Sequence, residues 1–512
     1  MNRLNPPTGR KLASRAMLLC VALLAACNVG PRYNPPRPTA PAVYKESPDQ
    51  FKEMDGWKVA EPKDAALRGD WWEIYSDAEL NDLERQLNID NETIKQSFSN
   101  FMEARSLVRE ARSQYFPTVA LGPSFSRSRT SPNTGLQVVN GTSTKSSSAS
   151  TFQSYTLPVD VSWMPDLWDK VRNTVRASQY QAQLSAADLE NVRLSEQASL
   201  AQFYFEIRGQ DELQRILDDT VKADRQAYDL EQNRYENGID DQISVVAAKT
   251  TLESAESSAT NLGIARAQFE HAIAVLIGKP ASSFSLPVRP MVAAPPPIPI
   301  GLPSQLLERR PDVAAAERSM AAANAQIGVA KAAFYPSLNL SASGGLESST
   351  VKHLFDIASR IWSVGPSISE SVYDGGLRRA TVNQYIATYN ANAAAYRQSV
   401  LTAIQQVEDS LAAVRILSKQ IQHQQQAVDS ARTFLTLEQN RYDTGIDPYI
   451  DVTTAQTTLL NDQQLLANLQ IQQMTASVQL IEALGGGWDR SQLPTPAQVT
   501  ARPTAAETTM QH

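Results

Sequence analysis

Two short segments of the chain carry the same acidic, basic and phenolic side chains at the same spacing. The first runs from Leu230 to Asp240 and the second from Leu437 to Asp447, 207 residues further on, and nine of their eleven positions are identical. Carboxylates, guanidinium groups and tyrosine hydroxyls can form ion pairs and hydrogen bonds that break and form again. The four histidines are scattered through the chain: His271, His353, His423 and His512. No phosphate-binding loop or nucleophile elbow occurs either, so we expect reversible contacts and no catalytic residue.

Each repeated segment also has the sequence of a turn between two helices. Gly238 and Gly445 suit the left-handed residue that ends a helix. Asp240 and Asp447 suit the N-cap of the helix that follows, and Pro448 suits its first position. We therefore expect two helical hairpins with tips near residues 238 and 445.

The flanks of these tips predict long helices. No proline occurs between residues 166 and 240 or between 374 and 447, so about sixty helical residues would reach about 100 Å. Apolar residues recur every seven positions, as in coiled coils. The series before Tyr442 is Leu435, Val428, Ile421, Val414 and Val407. The remaining positions are mostly polar, which suits either the wall of a water-filled tube or an ordinary long bundle.

Two other segments change from a helical to an alternating pattern. Residues 116–164 and 335–373 each predict a hairpin of two strands, and a Ser/Thr/Asn-rich loop is expected at about 126–151. One face of these strands is apolar and the other is small and polar. This pattern suits a membrane barrel with lipid outside and water inside, or a half-buried soluble hairpin. Four strands cannot close a barrel, which needs about eight, so a barrel would have to be shared between chains.

The N-terminus has the features of a bacterial secretory signal over residues 1–26. Basic residues precede an apolar run that is too short to span a bilayer as a helix. The run ends in Leu24-Ala25-Ala26-Cys27, which resembles the bacterial lipobox and implies lipidation of the Cys27 thiol; a plain signal peptide with a chance cysteine is the alternative. Asn28 in place of aspartate implies sorting to the outer membrane. Removing the signal's four basic residues leaves a net charge of −11, which disfavours nucleic acid as a partner.

Composition divides the rest of the chain. The expected parts are a lipidated cysteine and proline-rich tether at 27–66, a first structural repeat at 67–286, a proline-rich strap at 287–303, a second repeat at 304–488 and a disordered polar tail at 489–512. Trp71 and Trp72 are expected to pack on the helices. One helix is expected from about Ala78 to Tyr115.

With these motifs the chain resembles an outer membrane factor of efflux and type I secretion systems, in the lipoprotein branch often called the NodT family. The resemblance covers about residues 27–488 and rests on the lipobox, Asp70-Trp71-Trp72, Arg310-Pro311-Asp312-Val313, Ala321 to Gly328, Tyr373-Asp374-Gly375-Gly376 and the paired Arg-Tyr-x-x-Gly tips. It implies an α+β membrane protein. In a homotrimer, a twelve-stranded outer-membrane β-barrel with four strands per chain would continue into a twelve-helix periplasmic α-barrel. It also implies a periplasmic adaptor protein, an inner-membrane transporter and outer-membrane lipid as partners, and no cofactor.

The resemblance places a periplasmic gate at the tips. Asp451 matches an acidic position that narrows the pore, Ile450 is expected to add an apolar constriction, and Thr454 stands where relatives carry a second acid. The alternative for Asp451 is a solvated residue favoured by the helix N-terminus. In relatives the tyrosine matching Tyr442 reaches an acid on the first repeat, where this chain has Ser244. The candidates for contacts between tips and for adaptor docking are Arg234, Tyr235, Gly238, Arg441, Tyr442, Asp443 and Gly445.

The expected function is passive conduction of drugs or other small organic solutes, as the outer-membrane channel of a tripartite efflux pump. A channel for type I secretion or metal export is the alternative, although the mature chain has no cluster of Met or His and no metal site is expected. A coiled-coil structural lipoprotein is a more remote alternative, because it would not explain the amphipathic strands. An enzyme is not expected.

Overall fold

The fold is taken from a computed structural model, which describes residues 29–35, 41, 44–46, 69–129, 131, 136–139, 142–145, 151–291, 294–298 and 309–503. Cys27, the signal peptide and most of the tether lie outside these residues. The α-helices are α1 (Ala78–Asp90), α2 (Glu92–Ser113), α3 (Lys170–Glu236), α4 (Gln242–Leu276), α5 (Pro311–Ala332), α6 (Leu377–Asp443), α7 (Tyr449–Ala483) and α8 (Pro496–Thr500). The strands are β1 (Thr118–Leu121), β2 (Ser124–Arg129), β3 (Leu136–Val139), β4 (Thr142–Lys145), β5 (Thr151–Trp163), β6 (Ser337–Ser348) and β7 (Arg360–Ser369).

The long helices confirm the expectation from the proline-free segments. Helices α3 and α6 have 67 residues each, and each is followed after a short turn by a helix of 35 residues, α4 or α7. The two halves of the chain therefore repeat the same helical hairpin. In the part of the chain that is described, no helix combines the length and the apolar character needed to cross a membrane.

The helix expected from Ala78 to Tyr115 is instead broken at Asn91. The Asn91 side chain accepts a hydrogen bond from the Ile94 backbone N–H (2.9 Å) and donates to the Leu276 carbonyl (2.9 Å). The chain thus ends α1 and starts α2 with a polar cap, because asparagine competes well with helical backbone bonding.

The strands form one antiparallel sheet in the order β1/β2, β5, β6, β7. Strands β1 and β2 both pair with β5, because the expected first strand is interrupted at Gly122 and Pro123. A separate hairpin of β3 and β4 lies within the segment that was expected to be a loop. Large apolar side chains are exposed on the sheet, among them Trp362, Val364 and Ile368.

The described chain divides into two compact units, and each draws on both repeats. One unit comprises residues 1–35, 104–182 and 319–392, and the other comprises 36–103, 183–318 and 393–512. The sheet belongs to the first unit. The second unit contains the largest apolar core, in which Trp71 and Trp72 are each 1% exposed. The expected packing of these tryptophans is therefore confirmed.

The start of the proline-rich strap is held by buried charges of the second unit. Arg208 donates to the Pro287 carbonyl (2.7 Å), and Arg266 donates to the Leu286 carbonyl (2.9 Å). The carboxylate of Asp211, which is buried, accepts from Arg266 Nε (2.7 Å) and from the Arg289 backbone N–H (2.8 Å). Since each buried charge has an opposite partner, the cost of its desolvation is offset.

Residues 44–46 and the C-terminal tail both pack in the second unit. Tyr44 is buried, and the backbone N–H groups of Lys45 and Glu46 donate to the Glu408 carboxylate at 2.7 and 3.0 Å. The tail, expected to be disordered, instead forms α8 with a capping box at Thr495, and its Val499 is fully buried. The prediction of disorder is therefore wrong for residues 490–500, where one buried valine and a capped helix outweigh the polar composition.

Candidate functional site

Both helical hairpins turn through the same backbone motif. The N–H of Ile239 donates to the Arg234 carbonyl (2.8 Å), and the N–H of Ile446 donates to the Arg441 carbonyl (2.9 Å). Gly238 and Gly445 precede these residues with φ values of +69° and +73°. This is the Schellman ending of a helix, in which a glycine takes the left-handed conformation without a steric cost. The glycine positions predicted from the sequence are therefore confirmed.

The predicted N-caps lie one residue away from the observed ones. Helix α4 is capped by Asp241, whose carboxylate accepts from the Ser244 N–H (3.0 Å), and Pro448 stands at the cap position of α7. Asp240 and Asp447 are not caps, because their carboxylates bind side chains of the preceding helix or of the other hairpin.

Tyr442 joins the two helical hairpins. This residue of α6 is 4% exposed, and its hydroxyl is hydrogen-bonded to Glu231 Oε1 on α3 and lies 3.3 Å from Asp240 Oδ2, in the loop before α4. We call Tyr442, Glu231 and Asp240 the latch. Ser244 supports the latch through the other carboxylate oxygen of Asp240, because its hydroxyl donates to Asp240 Oδ1 (3.0 Å).

Aromatic and cationic groups enclose the latch. The Arg234 guanidinium lies 4.8 Å from the centre of the Tyr442 ring, with Nε 3.7 Å from Asp240 Oδ2. On the other side, the rings of Tyr442 and Tyr449 meet edge to face at 5.5 Å, and Val452 and Ala248 complete an apolar cluster. The latch is thus a polar contact in a mostly apolar surround, where hydrogen bonds are stronger than in water.

Electrostatics differ between the two acids of the latch. Glu231 has no exposed surface. Burial raises the pKa of its carboxyl group, and the negative charge of Asp240 raises it further, whereas the Tyr442 hydroxyl and the Arg234 charge act to lower it. Burial also acts to raise the pKa of Asp240, but hydrogen bonds from the Asp241 N–H and from the Ser244 and Tyr442 hydroxyls outweigh it, so that this pKa is lowered. Of these two acids, Glu231 is therefore the one that binds a proton more readily.

A further buried acid lies one heptad before Glu231. Asp224 is 3% exposed, and its Oδ2 atom has no hydrogen-bond partner among the residues that the structure describes. Burial raises the pKa of Asp224 to about 6. The pKa of the Tyr449 hydroxyl is raised to about 12, mainly by burial. The nearby charges of Asp224 and Glu231 raise it further.

The loop of the second hairpin is held by an ion pair of its own. Arg441 binds Asp447 with both Nε and Nη2, the second at 2.9 Å. The hydrogen bond from Arg441 lowers the pKa of Asp447, whereas partial burial and the charge of Asp447 raise that of Glu438. Carboxylate oxygens of Glu438, Asp447 and Asp451 lie within 4.8 Å of one another. Such a cluster of exposed and partly exposed acids with an arginine partner does not by itself make a metal site.

The three predicted gate residues share one exposed stretch of α7. Ile450 is 55% exposed, and Asp451 and Thr454 are exposed as well. Thr454 donates its hydroxyl to the Ile450 carbonyl (2.9 Å), within the helix. Asp451 is in the first turn of α7, where the helix N-terminus favours a negative charge. These side chains are free to face solvent, as a pore lining requires.

The other predicted tip residues separate into two groups. Arg234 and Tyr442 are brought together at the latch, and Arg441 pairs within its own loop. Tyr235 and Asp443 are exposed, and the two tip glycines have open space where a Cβ atom would lie. Roles of this exposed group in contacts with other proteins stay predictions.

The sequence interpretation missed Glu231 and Asp240 as partners of Tyr442. One signal could have found Glu231. Leu217, Asp224 and Glu231 follow each other at heptad spacing, and all three are buried. Acids at positions that continue an apolar heptad row indicate buried polar contacts.

Comparison with known proteins gives a consistent result. Residues 84–279 and 302–486 match the family model described as outer membrane efflux protein. Two relatives from Pseudomonas putida, the toluene efflux pump outer membrane protein TtgC and the antibiotic efflux pump outer membrane protein ArpC, are each 30% identical over 472 residues, which cover 91% of this chain and 94% of theirs. The solved structure of the outer-membrane channel OprN superposes with a TM-score of 0.81 at 26% identity, covering 90% of this chain and 100% of that one.

Proposed function

This chain belongs to the outer membrane efflux protein family, and we propose that its two helical tips form the gated periplasmic end of a trimeric channel. The chain is the outer-membrane channel component of a tripartite efflux pump, and it extends from the outer membrane into the periplasm. Its relatives are named for toluene and antibiotic efflux. We propose small organic solutes, drugs among them, as the substrates that it conducts passively.

The open edges of the sheet support the trimer. Strand β7 forms one edge and β1 with β2 the other, so each edge has a row of backbone groups without a second strand beside it in the described sheet. In lipid such groups cost several kcal/mol each. Three copies joined edge to edge would pair these strands and close a twelve-stranded barrel, with the exposed Trp362, Val364 and Ile368 facing lipid.

The gate proposal depends on one observation above all, which is the contact of Tyr442 with both Glu231 and Asp240. This contact joins the hairpin of α3 and α4 to the hairpin of α6 and α7. Opening the tip requires the hairpins to separate, and a few buried hydrogen bonds can be broken by a partner that binds the open form more tightly. We propose that a periplasmic adaptor protein with its inner-membrane transporter supplies this binding energy.

Asp451 is proposed to line the narrow part of the pore. Three copies of an exposed carboxylate around one axis would attract cations when ionised. Ile450 and Thr454, exposed beside it, would line the same constriction. We further propose that Cys27, outside the described residues, carries the lipid anchor, which mass spectrometry of the mature protein would detect.

Conductance in planar bilayers tests the channel and the gate together. The purified protein should migrate as a trimer and insert as a cation-preferring channel. Asp451→Ala should raise single-channel conductance and lower the cation preference, because it removes both bulk and charge. Thr458→Ala is the matched control: it trims an exposed residue seven positions further along α7 without changing charge, and cation preference should stay as in the wild type. A protein that never conducts would indicate a structural lipoprotein instead.

A further inference from the structure

Two carboxylate oxygen atoms of the latch lie within hydrogen-bond distance of one phenol hydroxyl. The Tyr442 hydroxyl is within hydrogen-bond distance of Glu231 Oε1 and of Asp240 Oδ2. A phenol has one proton, so it can donate to only one carboxylate at a time. With both carboxylates ionised, the second would face lone pairs of the phenol oxygen. Both contacts are hydrogen bonds only when one carboxyl group is protonated and donates to the phenol.

Burial decides which acid carries this proton. Glu231 has no exposed surface, and its Oε2 atom has no hydrogen-bond partner in the described part of the chain. Asp240 is partly exposed and accepts from the Asp241 N–H (2.8 Å) and the Ser244 hydroxyl (3.0 Å). An ionised carboxylate is favoured where donors surround it, and a neutral carboxyl group where they do not. The proton therefore belongs on Glu231.

The charged and titratable groups around Glu231 come from several elements. Helix α3 contributes Arg234, which favours the ionised form of Glu231. The loop before α4 contributes Asp240, which disfavours it. Helix α6 contributes Tyr442 and α7 contributes Tyr449, and both hydroxyls have a raised pKa. From α4 the cluster receives the apolar Ala248.

We propose that the closed tip binds a proton at Glu231, so that the contact between the two hairpins is held more firmly in acid than at neutral pH. Asp224, buried one heptad earlier on α3, would take up a second proton in the same closed state. The proposal rests on the proposed function, because it takes separation of the hairpins as the opening movement.

The direction of the pH effect follows from linkage. In the open tip the carboxyl group meets water and has its ordinary pKa, about 4.3 for glutamate. In the closed tip that pKa is raised. The proton's contribution to closure is complete below the ordinary value and is lost as pH rises through the raised one. One proton changes the ratio of open to closed tips by at most about tenfold per pH unit.

Glu231→Gln provides the test, because an amide keeps a donor and an acceptor but cannot ionise. The full-length trimer is placed in planar bilayers with potassium chloride, and the open fraction is recorded from pH 5 to pH 8. In the wild type it should rise about fivefold or more over this range. In Glu231→Gln the rise should be smaller than in the wild type, because only Asp224 is left to lose a proton from the closed tip over this range. Glu236→Gln, an exposed acid five residues further on, is the control and should follow the wild-type profile.

The possible results are decisive and separate the two proposals. No conductance from any variant would contradict the channel function itself. Conductance with the same pH profile in the wild type and Glu231→Gln would overturn the proton at Glu231 while leaving the channel intact. If Glu231→Gln failed to assemble, the wild type alone would decide, since an open fraction that is constant between pH 5 and pH 8 also overturns the inference.

Discussion

Removing one oxygen atom from the latch should loosen the closed tip. Tyr442→Phe deletes the hydroxyl that bonds Glu231 and Asp240. The ring remains, and so does its packing against Tyr449 at 5.5 Å and beneath the Arg234 guanidinium at 4.8 Å. The substitution therefore tests the hydrogen bonds separately from the apolar cluster.

The size of the effect can be worked out from the contacts. A hydrogen bond to an ionised or strongly polar partner contributes about 1.5–3 kcal/mol when buried. Tyr442 is 4% exposed, so water does not replace the lost bond in the closed tip. A loss of about 2–3 kcal/mol would raise the ratio of open to closed tips by roughly 30- to 140-fold in each protomer, at about 1.4 kcal/mol per factor of ten.

Open fractions in planar bilayers at pH 6 measure this ratio directly. Tyr235→Phe is the matched control, because Tyr235 is the equivalent residue of the first repeat and is 42% exposed. Its loss of a hydroxyl should leave the open fraction within about twofold of the wild type, as expected for an exposed group. If the two phenylalanine variants behaved alike, the latch would not be what keeps the tips together.

Two further predictions concern stability and use thermal unfolding of the purified trimer. The Glu84 side chain has no exposed surface, and neither of its carboxyl oxygens has a hydrogen-bond partner among the described residues. Burial raises the pKa of Glu84 well above its ordinary value. Since Glu84 ionises more readily in the unfolded chain, the free energy of unfolding falls as pH rises. Glu84→Gln should therefore raise the unfolding midpoint at pH 8 more than at pH 5. A Cβ atom at Gly209 would lie 2.2 Å from Cγ1 of the buried Ile471, so Gly209→Ala should cost about 1–3 kcal/mol. Gly263→Ala, where an added Cβ meets nothing within 4 Å, should instead stabilise by about 0.5–1 kcal/mol.

Much of the helical architecture follows from local sequence. The absence of proline from residues 166–240 and 374–447 and the glycines at both tips are sufficient to predict helices of about the right length and the place where each one turns. The strands of β5 to β7 likewise follow from alternation. These features depend on neighbouring residues in the chain, which a sequence displays directly.

The partners of the latch could not be predicted in this way. Tyr442 and Glu231 are 211 positions apart, so their contact depends on how two hairpins pack. The same contact explains the shifted cap: the Asp240 carboxylate is taken by Tyr442 and Ser244, and Asp241 caps α4 in its place. The short α8 was missed for a related reason, since burial of Val499 depends on a surface that the tail's own composition does not reveal.

The two tips have nearly the same sequence, yet the fold gives them different chemistry. Glu231 of the first repeat is fully buried against Tyr442, whereas the equivalent Glu438 of the second is half-exposed beside Asp447. The offset of 207 residues also sets Ser244 against Asp451.

In this arrangement the first repeat supplies the acids of the latch, and the second supplies its tyrosine and the exposed acid at the tip. If position 244 carried an aspartate, as the equivalent position 451 does, a third carboxylate would lie beside Asp240 and oppose its ionisation. A serine there donates a hydrogen bond instead. The divergence of the repeats is therefore what allows one tip to hold the other while only the second has an acid in the first turn of its returning helix.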